Sequence, residues 1–368
     1  MPCVLSRGRG AFAEPLNMTP CTLTALSDLA TLNVDTIIDV RAPAEFAEDH
    51  LPGAINLPVL SDAERAEVGT IYKQVSPFDA RKIGGALVAQ NTARHLQTAL
   101  ADKNGGWQPL VYCWRGGQRS GAFSTILDQV GWRVQLLRGG YRSYRRLVVA
   151  ALYDTPMPHR LMLIEGGTGT AKTRLLHHLA KAGAQVLDLE GLAQHRGSLF
   201  GAVDGGQPHQ KMFETSLAQA LAPLDPARVT WVEAESSKIG GITLPPALWA
   251  AMRAAPRVEI AAPLAARADF LCRAYDDLTT DPALLDDRID RLRPYHSAET
   301  IAAWQTQARA GDWAMLAEGL IGQHYDPRYA KAASRNPEPV ERLLLDDLNE
   351  TTLAETAIAL NARFTSGA

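Results

Sequence analysis

The chain has 368 residues, more than one hydrophobic core usually serves, so two domains are expected. With 37 Lys and Arg against 40 Asp and Glu, the net charge of −3 argues against wholesale polyanion binding and leaves local basic patches as the places where nucleic acid could be held. The four cysteines, Cys3, Cys21, Cys113 and Cys272, make no CxxC pair and no zinc-type cluster, and no apolar run reaches membrane-spanning length, so a reducing, cytoplasmic compartment is expected.

In chain order, residues 1–18 have little to bury and read as a disordered tail, followed by a first domain over 19–148 and a second over 149–368. Thr36 to Val40 is a β-branched run, the first buried strand of an α/β unit. Asp39-Val40-Arg41-Ala42-Pro43-Ala44-Glu45-Phe46 then leads into His50-Leu51-Pro52-Gly53-Ala54-Ile55-Asn56-Leu57-Pro58, which reads as a helical turn and a hairpin-like return. Asp39, Arg41 and Glu45 suit a structural ion-pair and capping set. Ser61 to Gly84 is charged and reads as a helical insertion without assigned chemistry.

Leu110 to Tyr112 reads as a strand that delivers Cys113 into the loop Trp114-Arg115-Gly116-Gly117-Gln118-Arg119, with a helix from Ser120 to Val130 opening on a hydroxyl cap. A thiol over a helix N-terminus, with Arg115 and Arg119 adding two cations, is expected to favour its thiolate. Gly116 and Gly117 let the backbone curl around whatever the sulfur carries. The Asp-Val-Arg-x-Pro-x-Glu-Phe segment, the His-Leu-Pro-Gly-Ala-x-Asn-Leu-Pro segment and the cysteine loop ending Arg119-Ser120 together resemble the rhodanese domain, over about Leu23 to Val148. That resemblance implies an α/β fold with a cysteine that carries transferable sulfur. Here Cys113 and Arg119 enclose one residue more than the common sulfur-transferring loop, a spacing similar to rhodanese-fold tyrosine phosphatases. A guest larger than one sulfur, such as selenium or a phosphoryl-bearing donor, is expected.

Arg133 to Leu137 reads as another strand, and Arg138-Gly139-Gly140-Tyr141-Arg142-Ser143-Tyr144-Arg145-Arg146 brings four arginines, Arg138, Arg142, Arg145 and Arg146, beside two tyrosines. Such a run suits RNA, through arginine on phosphate and tyrosine on bases, as well as it suits a solvated helix face between domains. Arg160 to Glu165 is a buried strand followed by Gly166-Gly167-Thr168-Gly169-Thr170-Ala171-Lys172-Thr173 and a helix to Lys181, the context a phosphate-binding loop requires. Backbone N–H groups would cradle a diphosphate, Lys172 would add a point charge, and Thr173 can ligate Mg2+. Ala171 stands where the motif has glycine. We expect it at negative φ, with phosphate binding surviving more readily than tight nucleotide hydrolysis.

Gln185–Leu189, Val229–Ala234, Val258–Ala262 and Val340–Leu345 read as further strands of a parallel sheet, and Thr352 to Glu355 as a capping box opening the last helix. Asp188, Glu233 and Glu235 end or follow strands and could orient magnesium or water. His195, Arg196 and Ser198, in a polar loop beyond the strand ends, are candidate substrate contacts that could grip a phosphate or a base. His177 and His178 read as surface residues, Arg288, Arg291 and Arg293 as a solvated face paired with acids, and Gln323 to Tyr329 as a turn that could touch RNA. No residue set has metal-ligand spacing.

The cysteine loop of the first half, joined to a phosphate loop and to Leu-Glu-Gly-Leu-Ala-x-His-Arg-Gly-Ser-x-Phe-Gly at 189–201, resembles the tRNA 2-selenouridine synthase family from about Leu23 to Tyr329. The fold implied is α/β: a rhodanese-like domain, then a P-loop NTPase-like parallel-sheet domain with added C-terminal helices. The activity implied is replacement of the 2-sulfur of wobble 2-thiouridine by selenium from selenophosphate, after S-geranylation by geranyl diphosphate. Cys113 and Arg119 would then be catalytic, Trp114, Arg115, Gly116, Gly117, Gln118 and Ser120 would hold selenophosphate, and Gly166 to Thr173 would hold the prenyl diphosphate. The resemblance implies selenophosphate and geranyl diphosphate as co-substrates, with no tightly bound cofactor. The residues alone also allow a sulfurtransferase or C-x5-R phosphatase fused to an NTPase, or a nucleotide-gated RNA-binding module.

Overall fold

The computed structural model describes residues 18–198, 200–201, 203, 205–275 and 281–365, so the expected N-terminal tail up to Asn17 and Leu199 of the polar loop lie outside the described residues. Contacts divide the chain between Val149 and Ala150 into two compact units.

The first unit is built on a parallel sheet of five strands, β1 (Thr19–Cys21), β2 (Thr36–Asp39), β3 (Ala54–Asn56), β4 (Pro109–Tyr112) and β5 (Gln135–Leu137), in the order β1-β5-β4-β2-β3. β2 and β3 run parallel, with Ile37 opposite Ala54, so the return through α1 (Pro43–Glu48) is a crossover and not the expected hairpin. The proline and glycine turns of that segment shape the crossover, because parallel neighbours cannot be joined by a tight turn. The charged insertion is two helices, α2 (Asp62–Gln74) and α3 (Pro77–Gln97). β4 is buried along its whole length, as a central parallel strand must be, and its end delivers Cys113 at the carboxyl edge of the sheet. Ile38, Val40, Val111, Phe123, Leu127 and Val134 form the core beneath it, between the sheet and α4 (Gln118–Val130). The basic run becomes α5 (Tyr141–Val149), but Tyr141 and Tyr144 are buried, so the expected stacking of bases on these rings is overturned. An amphipathic helix buries its aromatic side chains in preference to its arginines.

The second unit holds β6 (Arg160–Glu165), β7 (Gln185–Leu187), β8 (Val229–Glu233), β11 (Arg257–Ala261) and β12 (Glu341–Leu344), all parallel in the order β12-β11-β6-β8-β7, with a small β9 (Lys238–Ile239) and β10 (Ile242–Thr243) hairpin outside. β6 lies between β8 and β11, at the point where the strand order reverses. Loops there diverge and leave a crevice above the β6 carboxyl end. α6 (Lys172–Lys181) packs Leu175, Leu176 and Leu179 against Met162, Ile164 and Trp231 of the sheet and Leu353 and Leu360 of the final helix. That helix spans Glu350–Thr365, starting before the expected capping box: Asn349 Oδ1 accepts the Thr352 N–H at 2.9 Å, and Thr352 Oγ1 donates to Asp347.

Helices Pro282–Asp290, Ala298–Ala310 and Trp313–Leu320 form a separate apolar cluster around Ile289, Leu292, Ile301 and Trp304. The expected turn at 323–329 is helical: a π-helical turn, Ile321–Tyr325, runs into Asp326–Ala333. Arg291 and Arg293 pair with Asp287 and Asp290 on an exposed face, as expected. His178 is not a surface residue; it is buried against Glu350. No described helix is long and apolar enough to cross a membrane.

Candidate functional site

The first candidate site is the Cys113 loop. α4 begins at Gln118 with Gly117 as its N-cap, so Ser120 is not the expected cap but stands one residue row inside the first turn. From there its hydroxyl donates to Cys113 Sγ at 3.1 Å, and the Gly117 N–H donates to the same sulfur at 3.4 Å. Burial pushes the Cys113 thiol up. The Ser120 hydroxyl, with the N–H groups of Ser120, Arg115 and Gly117, outweighs it, so the net direction is down and Cys113 ionises more readily than an ordinary thiol. The two expected cations are not the source. Arg119 is clamped by Glu45, Nη1 to Oε2 at 2.6 Å and Nη2 to Oε1 at 3.2 Å, and the Arg115 side chain is exposed.

The floor of the loop is Gly139-Gly140, residues that in sequence were only part of the basic run. Gly140 has φ +59°, and a Cβ there would sit 2.2 Å from the Cys113 carbonyl oxygen and 2.5 Å from the Gly116 nitrogen. The Tyr141 N–H donates to the Cys113 carbonyl at 2.8 Å and the Arg142 N–H to that of Trp114 at 3.1 Å. Trp114 stacks on Tyr141, whose hydroxyl donates to Asp49 and whose ring lies 4.1 Å from the Arg41 guanidinium. Arg41 is in turn gripped by Asp39, with Nη2 to Oδ2 at 2.6 Å, so Asp39 and Arg41 form the expected structural pair. Glu45 combines the expected capping, accepting the Ala42 N–H, with its hold on Arg119. Tyr141 and Arg145, 3.8 Å from Asp49, thus scaffold the loop. Arg138 and Arg146 are exposed and Arg142 is half-buried.

The second candidate site is the loop after β6. Lys172 Nζ folds back over it, donating to the Gly166 carbonyl at 2.9 Å, and Thr173 Oγ1 donates to Glu190 Oε2 at 2.7 Å. Ala171 has φ +59°, contrary to the negative φ expected for an alanine. The left-handed conformation costs about 1–2 kcal/mol. Its methyl group is buried with Leu175, Leu176 and Ile164, which offsets part of that cost. Arg267 on α10 (Leu264–Ala274) donates to the Thr168 carbonyl at 2.7 and 2.8 Å and pairs with Asp326 at 2.6 Å, bracing the loop from behind. Arg267 carried no sequence signal and Asp326 was read only as part of a turn that could touch RNA, because nothing in their local context points to a loop so far away in the chain.

A cavity of about 1210 Å³ opens above the loop. Gly166, Thr168 to Thr173, Glu190, Arg196, Ser198 and Glu235 line it around the loop, and Trp249, Met252, Phe270, Leu271, Tyr275, Tyr325 and Tyr329 add apolar and aromatic surface beside the charged Glu165, Arg253, Arg257 and Arg335. Arg196 lies 4.7 Å from the centre of the Tyr275 ring. His195 is not among the lining residues; its Nδ1 accepts the Gly197 N–H at 3.1 Å, and its ring lies against Gly240. Of the three expected acids, Asp188 caps α7 (Leu189–Ala193) and pairs with His177, and buried Glu233 accepts the Leu189 N–H. Glu235 alone faces the cavity, joined by Glu190, which the sequence reading missed. Both carboxylates converge on Gly197, where a Cβ would lie 2.5 Å from Glu190 Oε1 and 2.9 Å from Glu235 Oε1. Burial, then Glu190 beside it, pushes the Glu235 carboxyl up to about 7, against the pull of Lys172. Thr173, Glu190 and Glu235 present hard oxygen donors of the kind that suit Mg2+. Among the described residues no group of three His, Cys, Asp or Glu could hold a metal by itself.

A family model described as the tRNA 2-selenouridine synthase AAA domain matches residues 159–286, and one described as the rhodanese-like domain matches residues 22–147. The chain is 37% identical over 292 residues to a tRNA 2-selenouridine synthase from Nitrosomonas europaea, covering 77% of this chain and 75% of that one. It is 33% identical over 346 residues to the protein so named from Hahella chejuensis, covering 83% and 87% of the two chains. With the one from Alcanivorax borkumensis it shares 32% identity over 365 residues, 90% of this chain and 97% of the relative.

Proposed function

This chain belongs to the tRNA 2-selenouridine synthase family, and on that premise we propose that it replaces the 2-sulfur of wobble 2-thiouridine in tRNA by selenium, through an S-geranylated intermediate. The observation that carries this reading is the cavity above the phosphate loop, whose lining brings Trp249, Met252, Phe270, Leu271 and Tyr275 into the same space as the loop. A nucleotide's phosphates need no such apolar side chains beside them; the chain of an alkyl diphosphate does.

In the first step the thiocarbonyl sulfur attacks C1 of the geranyl group, the C–O bond breaks, and diphosphate leaves with the bonding electron pair. Loop N–H groups and Lys172 stabilise the charge that develops on the departing oxygen. Lys172, now bonded to the Gly166 carbonyl, would swing onto the diphosphate. Mg2+, when bound, would neutralise part of that charge, with Thr173, Glu190 and Glu235 as its protein oxygens. S-alkylation makes C2 of the base electrophilic and turns sulfur into a thiol leaving group. In the second step the selenium of selenophosphate attacks C2 and the C–S bond breaks, geranylthiol leaving with the bonding pair and a proton; water then cleaves the P–Se bond, which leaves selenouridine and phosphate. Cys113 and the N–H groups of its loop would hold that donor, with exposed Arg115 as the available cation and Arg119 oriented by Glu45. The wobble nucleotide must be unstacked to reach either site, and Arg138, Arg142 and Arg146 offer phosphate contacts for the anticodon stem-loop.

The test is nucleoside mass spectrometry of 2-thiouridine tRNA after incubation with geranyl diphosphate, with selenophosphate, or with both. A prenylated nucleoside in the first sample and selenouridine in the third are expected. Lys172→Ala should lose the first product, and Cys113→Ala only the second. Unchanged tRNA in all three samples would refute the reading and leave a sulfurtransferase or phosphatase fused to an NTPase.

A further inference from the structure

Behind the main cavity lies a second, smaller recess of about 90 Å³, between α10 and the helix Trp313–Leu320. Thr168, Ser198, Leu271, Tyr275 and Tyr325 line both spaces, so the recess adjoins the cavity across these side chains. It begins at the cradle itself: a Cβ on Gly169 would lie 3.2 Å from Leu271 Cγ. Beyond Tyr275 its walls are Cys272, Leu285, Trp313, Leu316, Ala317 and Leu320. Among the described residues that end offers no carboxylate, amide or cation, so a base, sugar or peptide entering it would lose its hydrogen bonds to water without replacement. Hydrocarbon loses nothing there and gains burial.

We propose that this recess is a tail subsite that takes the distal isoprene unit of the prenyl diphosphate and thereby selects chain length. The inference rests on the reading of the phosphate loop as a diphosphate cradle and extends it to a second set of residues. The head is fixed by the loop and Lys172, so each added isoprene unit must advance along one path, past Leu271 and Tyr275 and into the space beside Cys272. The first unit lies against the wall of the main cavity, and the second reaches the recess. Cys272, half-buried on its wall, acts as a reporter: an occupied recess covers its thiol.

The experiment is calorimetric binding of inorganic diphosphate, dimethylallyl diphosphate and geranyl diphosphate to the whole protein. Geranyl diphosphate is expected to bind roughly 30-fold or more tighter than diphosphate, from partial burial of its hydrocarbon. Cys272→Trp, which fills the recess, should erase the gain from the second unit while leaving diphosphate affinity unchanged. Geranyl diphosphate should also slow maleimide labelling of wild-type Cys272, and inorganic diphosphate should not. That labelling decides the matter without a variant if Cys272→Trp fails to fold. Equal affinity for geranyl diphosphate and diphosphate, or labelling of Cys272 indifferent to geranyl diphosphate, overturns the tail subsite and leaves the cradle intact. If wild-type protein binds none of the three ligands, the cradle reading falls and the subsite falls with it.

Discussion

Ser120→Ala isolates what makes Cys113 reactive. In the structure the hydroxyl donates to Sγ at 3.1 Å and is fully buried, so its removal deletes one hydrogen bond to a charged acceptor without opening a path for water. Such a bond contributes about 1.5–3 kcal/mol. Because roughly 1.4 kcal/mol corresponds to a factor of ten between protonation states, the thiolate fraction well below the midpoint should fall about tenfold or more. The assay is iodoacetamide labelling of Cys113 at pH 6, followed by peptide mass spectrometry, with Cys272 as the internal standard. Its thiol is raised by burial and by Asp269. Arg119→Met serves as the contrast: with Arg119 held by Glu45, its loss should slow labelling less than the loss of the hydroxyl. Equal labelling of wild type and Ser120→Ala would refute the reasoning, and a larger effect of Arg119→Met would return the role to the cations.

Lys172→Ala should weaken diphosphate binding by roughly 10- to 100-fold, the size of one lost charge-assisted contact, measured by calorimetry; affinity within twofold of wild type would remove Lys172 from the cradle. Glu235 keeps its proton to about 7 in the folded protein against an ordinary 4.5, so its contribution to stability is complete below 4.5 and is lost as pH rises through 7. Urea midpoints should therefore fall between those values in wild type and fall less in Glu235→Gln; parallel pH profiles would contradict the assignment. Gly140→Ala places a methyl group against the Cys113 carbonyl at positive φ, and should cost about 2–3 kcal/mol or more with loss of Cys113 reactivity, read by denaturation and labelling. Ala171→Gly relieves left-handed strain but removes a buried methyl group and loosens the unfolded chain, so a net change within about 1 kcal/mol is expected; a large stabilisation would mean that the methyl packs to no effect.

Local sequence determined the short-range elements of this protein. Thr36 to Asp39, Pro109 to Tyr112 and Arg160 to Glu165 are strands because continuous apolar, β-branched runs bounded by turn residues have few other stable outcomes. The glycine-rich turns after Tyr112 and Glu165 were legible as loops between a strand and a helix N-terminus for the same reason: all three are contiguous in the chain. Tertiary structure alone decided which groups face those loops. That the Ser120 hydroxyl and not the Arg115 or Arg119 guanidinium acts on the thiol depends on α4 starting at Gln118 and on Glu45, on another helix, being close enough to hold Arg119. Tyr141 and Tyr144 turned inward because burying aromatic rings outweighs keeping a basic surface uniform. Glu190, Arg267 and the wall of the recess became part of the second site through packing between segments distant in sequence, and Ala171 took a conformation its side chain disfavours because the loop and core around it demand it. Bonding within a few residues is written in local order, whereas the partner of a buried charge or the wall of a cavity is settled only when the whole core closes.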